Sequence, residues 1–310
     1  PVELTVLARG QTHEVLAQDG LRLFSRIDPQ QPDHWSEFHC RPKLVENPAL
    51  AGPQDLIIVA LKYNAMAQAA KSIEPMLGPN TVVLSAMNGI GWWFTHGLNN
   101  APAGLKLEVV DPKGAISSLI NPSRVVGCVV YLAASVRQPA QIQLNLGNRL
   151  VIGELDGSSS DRLADIAGLL KAARFDVEVS DAIHREVWFK LWGNMTMNPI
   201  SALTGAKTDA ILADPDLRNF LSQAMREANA VGAKLGLKIE EEPEQRHQET
   251  ARLGGFKTSM LQDAEAGKPL ELDALVTVVH DIARQVDVPT PGVDSLLGMT
   301  RVFARTHGLA

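Results

Sequence analysis

Three polar residues in the second half of the chain recur at a spacing that could serve catalysis. Lys190, Asn194 and Asn198 are four residues apart, so in a helix they lie along one face. An ammonium beside a carbonyl oxygen can stabilise and protonate the negative charge that hydride addition builds there. Asparagine amides can bond a carboxylate or a hydroxyl without adding charge. This stripe places one proton donor and two neutral hydrogen-bonding groups on one helix face, although a lysine on an amphipathic helix is more often simply solvated.

Lys62 and Asn88 each follow an apolar run that is typical of a buried strand, residues 55–61 and 81–85. Ligands of open α/β sheets gather outside the carboxyl ends of the strands. Gly89 would let the backbone approach a ligand closely. The alternatives are a surface charge at a strand end and a common Asn-Gly turn. Because two strand ends present polar side chains, we favour a ligand site at this edge.

Ser259 and Glu271 stand on either side of a turn at residues 267–269. The turn could bring both side chains toward one cleft. Taken by themselves, Ser259 is an ordinary helix residue and Glu271 an acid in the first turn of a helix, where the helix dipole favours it.

The elements that must position these residues change in kind along the chain. The first half predicts strands at 2–8, 21–24, 37–40, 55–61, 81–85, 125–134 and 149–152, with helices at 11–18 and 64–76 and a polar turn between 24 and 37. Strand, helix and strand at this spacing indicate βαβ units and a parallel sheet. Beyond residue 180 the periodicity predicts helices at 182–197, 215–235, 243–266 in two pieces, and 270–286. Pro199 predicts that the first of these ends at about Asn198.

We therefore expect an α/β, Rossmann-like dinucleotide-binding domain at 1–180 and an all-α substrate and catalytic domain at 181–310. The phosphate-binding motif GxGxxG does not occur in the sequence. Arg9 stands at the end of the first predicted strand, where a dinucleotide-binding fold has its ribose-recognising residue, and an arginine there can meet a 2′-phosphate. In this interpretation the strand at 2–8 corresponds to the second strand of the fold. It implies that about 25 residues, a strand, the glycine-rich loop and a helix, are absent upstream.

Composition excludes several classes of protein. The net charge is -6, with 29 basic and 35 acidic residues, which argues against a nucleic-acid partner. No apolar run reaches the roughly 18 residues of a membrane span. The two cysteines, Cys40 and Cys128, form no CxxC, so we expect neither disulfide nor zinc and favour a reducing, cytoplasmic setting. The histidines have no partner at ligand spacing, and we expect no metal.

Four stretches together resemble the ketopantoate reductase (2-dehydropantoate 2-reductase) family in order and spacing. They are DLIIVALKYN (55–64), SAMNGIG (85–91), REVWFKLWGNMTMNPISALTG (185–205) and TSMLQDAEAGKPLELDAL (258–275). The resemblance implies a Rossmann domain followed by a helical domain of the 6-phosphogluconate dehydrogenase type, with the active site in the cleft between them.

The resemblance also implies an activity, the NADPH-dependent reduction of ketopantoate to pantoate on the way to coenzyme A, and a role for each candidate residue. Lys190 would be the general acid. The residues implied in substrate binding are Asn88, Asn194, Asn198, Ser259 and Glu271, and those implied in NADP(H) binding are Arg9, Lys62, Asn88 and Glu271. A small 2-keto acid is the expected partner, and a homodimer is an open possibility.

Two departures from the family pattern leave the substrate open. Met87 replaces a frequent glutamine, and Leu270 replaces a frequent threonine, which removes a hydroxyl near the expected substrate site. One alternative is the same chemistry on another 2-keto acid. A second alternative is a non-catalytic binding or dimerising protein that lacks the phosphate loop.

Overall fold

The computed structural model describes residues 2–25 and 35–310. Strands occupy the first half, and helices dominate from residue 183 onward, which confirms the predicted fold class. The strands are β1 Thr5–Leu7, β2 Leu21–Ser25, β3 Ser36–Cys40, β4 Lys43–Val45, β5 Gln54–Val59, β6 Leu77–Ser85, β7 Val125–Gln138, β8 Gln141–Glu154 and β9 Asp176–Val179. The α-helices are α1 Gly10–Asp19, α2 Met66–Ile73, α3 Asp161–Ala172, α4 Ile183–Thr204, α5 Thr208–Ala213, α6 Pro215–Lys234, α7 Pro243–Arg252, α8 Ser259–Glu265, α9 Val278–Gln285 and α10 Pro291–Thr306.

The main sheet runs in the order β3-β2-β8-β7-β6-β5, with β9 added beside β8. Strands β5, β6 and β7 are parallel, as the βαβ pattern predicts. The centres of β6 and β7 are apolar and buried on both faces of the sheet, whereas β5 lies at the edge and its Ile58 is 50% exposed. Parallel strands end at the same edge, so the loops that follow β5 and β6, which carry Lys62 and Asn88, emerge side by side.

The expectation of a parallel sheet is wrong at one place. Strands β7 and β8 are antiparallel along most of their length, since only Pro139 and Ala140 separate them and so short a link cannot make a parallel crossover. Strands β2 and β3, predicted on either side of a polar turn, pair in antiparallel orientation. The predicted polar turn between them falls largely on residues 26–34, outside the described residues.

Strands β1 and β4 form a separate two-stranded parallel sheet. Only Thr5–Leu7 of the strand predicted at 2–8 is paired, so this strand is shorter than predicted. Arg9 follows it directly, and α1 begins at Gly10, whose φ of 54° suits a residue without a side chain.

Helix α4 is the longest helix of the described chain, and it corrects one prediction. It continues past Asn198 to Thr204 with Pro199 inside it. An internal proline costs a helix about 3 kcal/mol. The surrounding turn, from Met195 to Ala202, is buried throughout, and this packing outweighs the lost hydrogen bond.

In the rest of the helical half, the observed helices differ from the predicted ones in where they begin and in their number. The segment predicted as one helix at 270–286 starts with a π-helical turn, Asp273–Thr277, before α9. Helices α3, α5 and α10 were not predicted from the sequence. In the described residues, no helix has the length and apolarity needed to cross a bilayer.

One apolar core joins the sheet to the helices. Trp93 and Phe94, from the segment after β6, pack around His184 at the start of α4, with ring centroids 5.9 and 5.2 Å away. Phe94 also stacks on Trp188 at 6.1 Å. Burial in this aromatic cluster lowers the pKa of His184 to about 4, so the imidazole is neutral at pH 7. The cluster fixes α4 against the sheet.

A second contact between the sheet domain and the helical half involves a glycine in the loop after β6. Gly89 has a φ of 81°, and a Cβ atom there would lie 2.3 Å from the carbonyl oxygen of Ala274 in the π-helical turn. The next residue, Ile90, donates its N–H to that same carbonyl at 2.9 Å. The loop that carries Asn88 is thereby held against the segment that carries Glu271.

We expect Gly89→Ala to lower the free energy of unfolding by about 2–4 kcal/mol, because it adds both backbone strain and a steric clash. Chemical denaturation would measure the loss. Gly168→Ala in α3 is the control, since a Cβ there meets no atom within 4 Å, and alanine should stabilise that helix by about 0.5–1 kcal/mol. A Gly89→Ala protein as stable as the wild type would contradict the close approach.

Candidate active site

The ammonium of Lys190 lies at the junction of α4 with the sheet. Its Nζ donates to Oδ1 of Asn88 at 2.6 Å and to the carbonyl of Val130 at 2.5 Å. It also lies 5.6 Å from the centre of the Tyr131 ring. Two predicted site residues, 102 positions apart in the chain, are therefore in direct contact, and the aromatic ring forms one wall of the site.

Burial lowers the pKa of Lys190 from its usual value to about 8. The positive charge of Arg246 acts in the same direction, and the carboxylate of Glu271 partly opposes it. An amine with this pKa is mostly protonated at neutral pH but gives up its proton far more readily than an ordinary lysine. This is the property that a general acid requires.

The two asparagines of the stripe extend the site along α4. Asn194 is half-buried one turn beyond Lys190, and Asn198 is buried a further turn on. Since α4 does not end at Asn198, all three side chains keep the regular spacing of one helix face.

A second polar group gathers around Lys62, at the carboxyl end of β5. Its ammonium is hydrogen-bonded to the carboxylate of Asp263 in α8 and lies 3.7 Å from Oε2 of Glu271. The other oxygen of Glu271 accepts the backbone N–H of Tyr63 at 2.9 Å. Both carboxylates are almost fully buried, with side-chain exposures of 11% and 10%. One ammonium thus faces two enclosed acids.

The two groups belong to one cleft. The hydrogen bond from Ile90 to Ala274 ties the Asn88 loop to the turn that follows Glu271. The charge of Glu271 also contributes to the pKa of Lys190. An apolar cavity of about 170 Å³ opens beside Glu271 and is bordered by Tyr63, Val110 and Leu270.

Two candidate residues stand apart from these contacts. Ser259 is exposed at the first position of α8, and no hydrogen bond joins it to Glu271 among the described residues. Arg9 is exposed at the end of the small sheet, where its Nε donates to the carbonyl of Glu46 at 3.4 Å.

Three residues of the cleft were not predicted from the sequence: Asp263, Tyr131 and Arg246. Asp263 lies within a stretch that resembles the family, yet its partner Lys62 is 201 residues away. Tyr131 belongs to a strand whose pattern indicates only burial. Arg246 lies in α7, a helix of mostly polar residues, where an arginine gives no local signal.

A larger groove, of about 550 Å³, lies beside β2 and β3, away from Lys190. Its arginines already have partners: Arg22 pairs with Glu37 at 2.5 Å, and Arg41 donates to backbone carbonyls at the end of α1. We therefore place the chemistry at Lys190. No cluster of acidic, histidine or cysteine side chains in residues 2–25 and 35–310 is arranged to hold a metal ion.

Comparison with known proteins gives matches along nearly the whole chain. The family model "Ketopantoate reductase PanE/ApbA" matches residues 2–157, and "Ketopantoate reductase PanE/ApbA C terminal" matches residues 182–304. A 2-dehydropantoate 2-reductase of Mesorhizobium japonicum is 39% identical over 306 residues, which are 99% of this chain and 91% of the relative.

Solved structures agree in fold. A protein of Ralstonia solanacearum MolK2 that is assigned as a ketopantoate reductase superposes with a TM-score of 0.90 at 44% identity, covering 99% of this chain and 91% of its own. A D-mandelate dehydrogenase bound to NADH and anilino(oxo)acetate has a TM-score of 0.81 at 16% identity, with 99% and 92% covered, which shows a shared fold.

The lowered pKa of the Lys190 ammonium can be tested without measuring enzyme activity. In a protein with ¹³C-labelled lysine, we expect the Cε resonance of Lys190 to titrate with a midpoint near 8. Lys190→Arg identifies the resonance by its disappearance. Asn88→Leu should lower the midpoint further, because it removes an acceptor that stabilises the charged form. A midpoint above 10 in the wild-type protein would exclude an enclosed ammonium.

Proposed function

The chain belongs to the ketopantoate reductase family of pyridine-nucleotide-dependent oxidoreductases, and we propose that it reduces ketopantoate to pantoate with NADPH, a step in pantothenate biosynthesis. The observation that carries this proposal is the ammonium of Lys190, held between Asn88 and the carbonyl of Val130, with a pKa near 8. The region 1–180 would bind the cofactor, and 181–310 would supply the catalytic lysine and bind the substrate.

Lys190 is the general acid of this mechanism. Two of its three N–H groups bond Asn88 and Val130, which leaves the third for the substrate's carbonyl oxygen. The ammonium stabilises the negative charge that develops on this oxygen and then transfers a proton to it. Because both acceptors are uncharged, the ammonium can release its proton without losing an ion pair.

The remaining polar residues orient the substrate. Asn194 and Asn198 continue the face of α4 beyond Lys190, where their amides can bond the carboxylate and the hydroxyl of ketopantoate. Glu271 and Ser259 approach from the segments around α8, and an ionised Glu271 can accept a substrate hydroxyl. Leu270 borders the cavity beside Glu271, so this side of the site accommodates an apolar substituent.

Four residues fit a bound NADPH by their chemistry. Arg9 is exposed, and within the described parts of the chain only its Nε is hydrogen-bonded, so its terminal N–H groups can bond a 2′-phosphate. Lys62, Asn88 and Glu271 lie at the carboxyl ends of β5 and β6 or against them, where a dinucleotide crosses such a sheet. When bound, the cofactor supplies the hydride. A homodimer remains a prediction and can be checked by sedimentation.

We expect the wild-type enzyme to oxidise NADPH with ketopantoate faster than with other 2-keto acids, followed by absorbance. Lys190→Ala should lower kcat by roughly 10²–10⁴-fold, the usual worth of a general acid, and leave NADPH binding unchanged. In the wild-type enzyme, kcat/KM should fall as the pH rises through about 8, because the protonated acid is lost. Lys234→Ala, an exposed lysine at the end of α6, is the matched control.

The outcomes separate the alternatives. Turnover of another 2-keto acid in preference to ketopantoate would keep the reductase and change its substrate. Failure to bind NADPH would favour the non-catalytic binding protein. Full activity in Lys190→Ala would remove the assigned role of this residue.

Substitution of Arg9 tests whether this residue makes the enzyme prefer NADPH to NADH. We expect Arg9→Ala to raise KM for NADPH by about 10–100-fold, the value of one charge-assisted hydrogen-bonding group, and to leave KM for NADH unchanged, because NADH has no 2′-phosphate. Steady-state kinetics with both cofactors would measure this, with Arg301→Ala, an exposed arginine on α10, as the control. Equal losses with the two cofactors would show that Arg9 does not contact the 2′-phosphate.

A further inference from the structure

Arg246 is a second cation beside Lys190, and its hydrogen bonding is incomplete. Its side chain is only 21% exposed. Nη1 lies 3.1 Å from Oε2 of Glu249, which is 53% exposed. Nε is fully buried and has no hydrogen-bond partner among the described residues. A charged group with an unpaired buried donor is costly, and a bound ion or ligand nearby is one explanation for it.

The packing around Arg246 directs it to the catalytic helix. Its guanidinium carbon lies 5.3 Å from the centre of the Phe189 ring. The edge formed by Nε and Nη2 faces Gly193, where a Cβ atom would lie 2.9 Å from Nε and 3.4 Å from Nη2. Gly193 lies between Lys190 and Asn194 on α4. The absence of a side chain at this position is what admits the guanidinium beside the stripe.

The charges around this position are unbalanced. Arg246 acts on both Lys190 and Tyr131, lowering the pKa that each would otherwise have, so its guanidinium is within electrostatic range of both. Two cations in a partly dry cleft repel each other, and the exposed carboxylate of Glu249 offsets this weakly because water screens it. An anion bound between them would relieve the repulsion.

The proposed substrate class carries such an anion. In a 2-keto acid the carboxylate is bonded directly to the carbonyl carbon, so it must lie beside Lys190 when the carbonyl oxygen contacts the ammonium. A guanidinium edge matches a carboxylate with two parallel hydrogen bonds, which an asparagine amide cannot do with the same strength.

We propose that Arg246 binds the carboxylate of the substrate through its terminal nitrogens, Nη1 and Nη2, and thereby sets the preference for 2-keto acids over uncharged ketones. This inference rests on the proposed reductase function. Nε stays packed against Gly193 and Phe189 supports the guanidinium plane, which leaves the terminal nitrogens for the ligand.

The test compares a 2-keto acid that the wild-type enzyme reduces with the primary amide of the same acid. In Arg246→Gln, we expect KM for the acid to rise about 30–100-fold, the loss typical of a charged hydrogen-bonding pair, while kcat changes by less than about threefold. Kinetics with the amide and the Kd of NADPH should not change. Arg246→Lys should restore part of the affinity for the acid.

Gly193→Ala provides a second, independent variant. It keeps every charge and adds a methyl group that displaces the guanidinium, while alanine favours the helix, so we expect KM for the acid to rise here too. Arg252→Gln, an exposed arginine on the same helix, is the matched control and should leave KM unchanged.

Two results would overturn the inference and are distinguishable from each other. An active wild-type enzyme whose Arg246→Gln variant keeps the same KM, or loses activity equally on acid and amide, would exclude a carboxylate contact and leave the reductase function intact. A wild-type enzyme that fails to oxidise NADPH with any of the 2-keto acids tested would overturn the proposed function together with this inference.

Discussion

The free energy needed to take one ammonium out of water governs the arrangement of this cleft. Lys190 stays charged at neutral pH only because Asn88 and the carbonyl of Val130 replace the water that it loses. These acceptors belong to the loop after β6 and to β7, so α4 must be fixed against the sheet at one depth and rotation. The aromatic packing of Phe94 on His184 and Trp188 supplies that constraint.

Local patterns predicted the elements better than the contacts between them. Strands β5 and β6 were predictable from their continuous apolar sequences, although only β6 is covered on both faces as such a sequence predicts. The stripe from Lys190 to Asn198 was predictable because helical spacing is regular. Pro199 misled the prediction, since its helix-breaking tendency is local while the burial that overrides it is tertiary. Asp263 and Arg246 could not be predicted, because neither contact shows in the spacing of nearby residues.

The two sides of the cleft differ in the sign of their excess charge. On one side, Lys190 and Arg246 place two cations close to neutral partners and one exposed acid. On the other side, Lys62 is outnumbered by Asp263 and Glu271. An anionic substrate is therefore favoured at α4, whereas groups that donate hydrogen bonds, such as hydroxyls, are favoured near Glu271. This division gives an asymmetric small molecule one preferred orientation.

The aromatic cluster that joins sheet and helices has a mechanical consequence. Because Trp93 and Phe94 are buried against α4, a hinge between the two halves would expose the largest side chains of the core to water, and large rotations there are disfavoured. Small displacements at the rim of the cleft would bury and expose less apolar surface than a rotation at this joint, and they therefore cost less free energy.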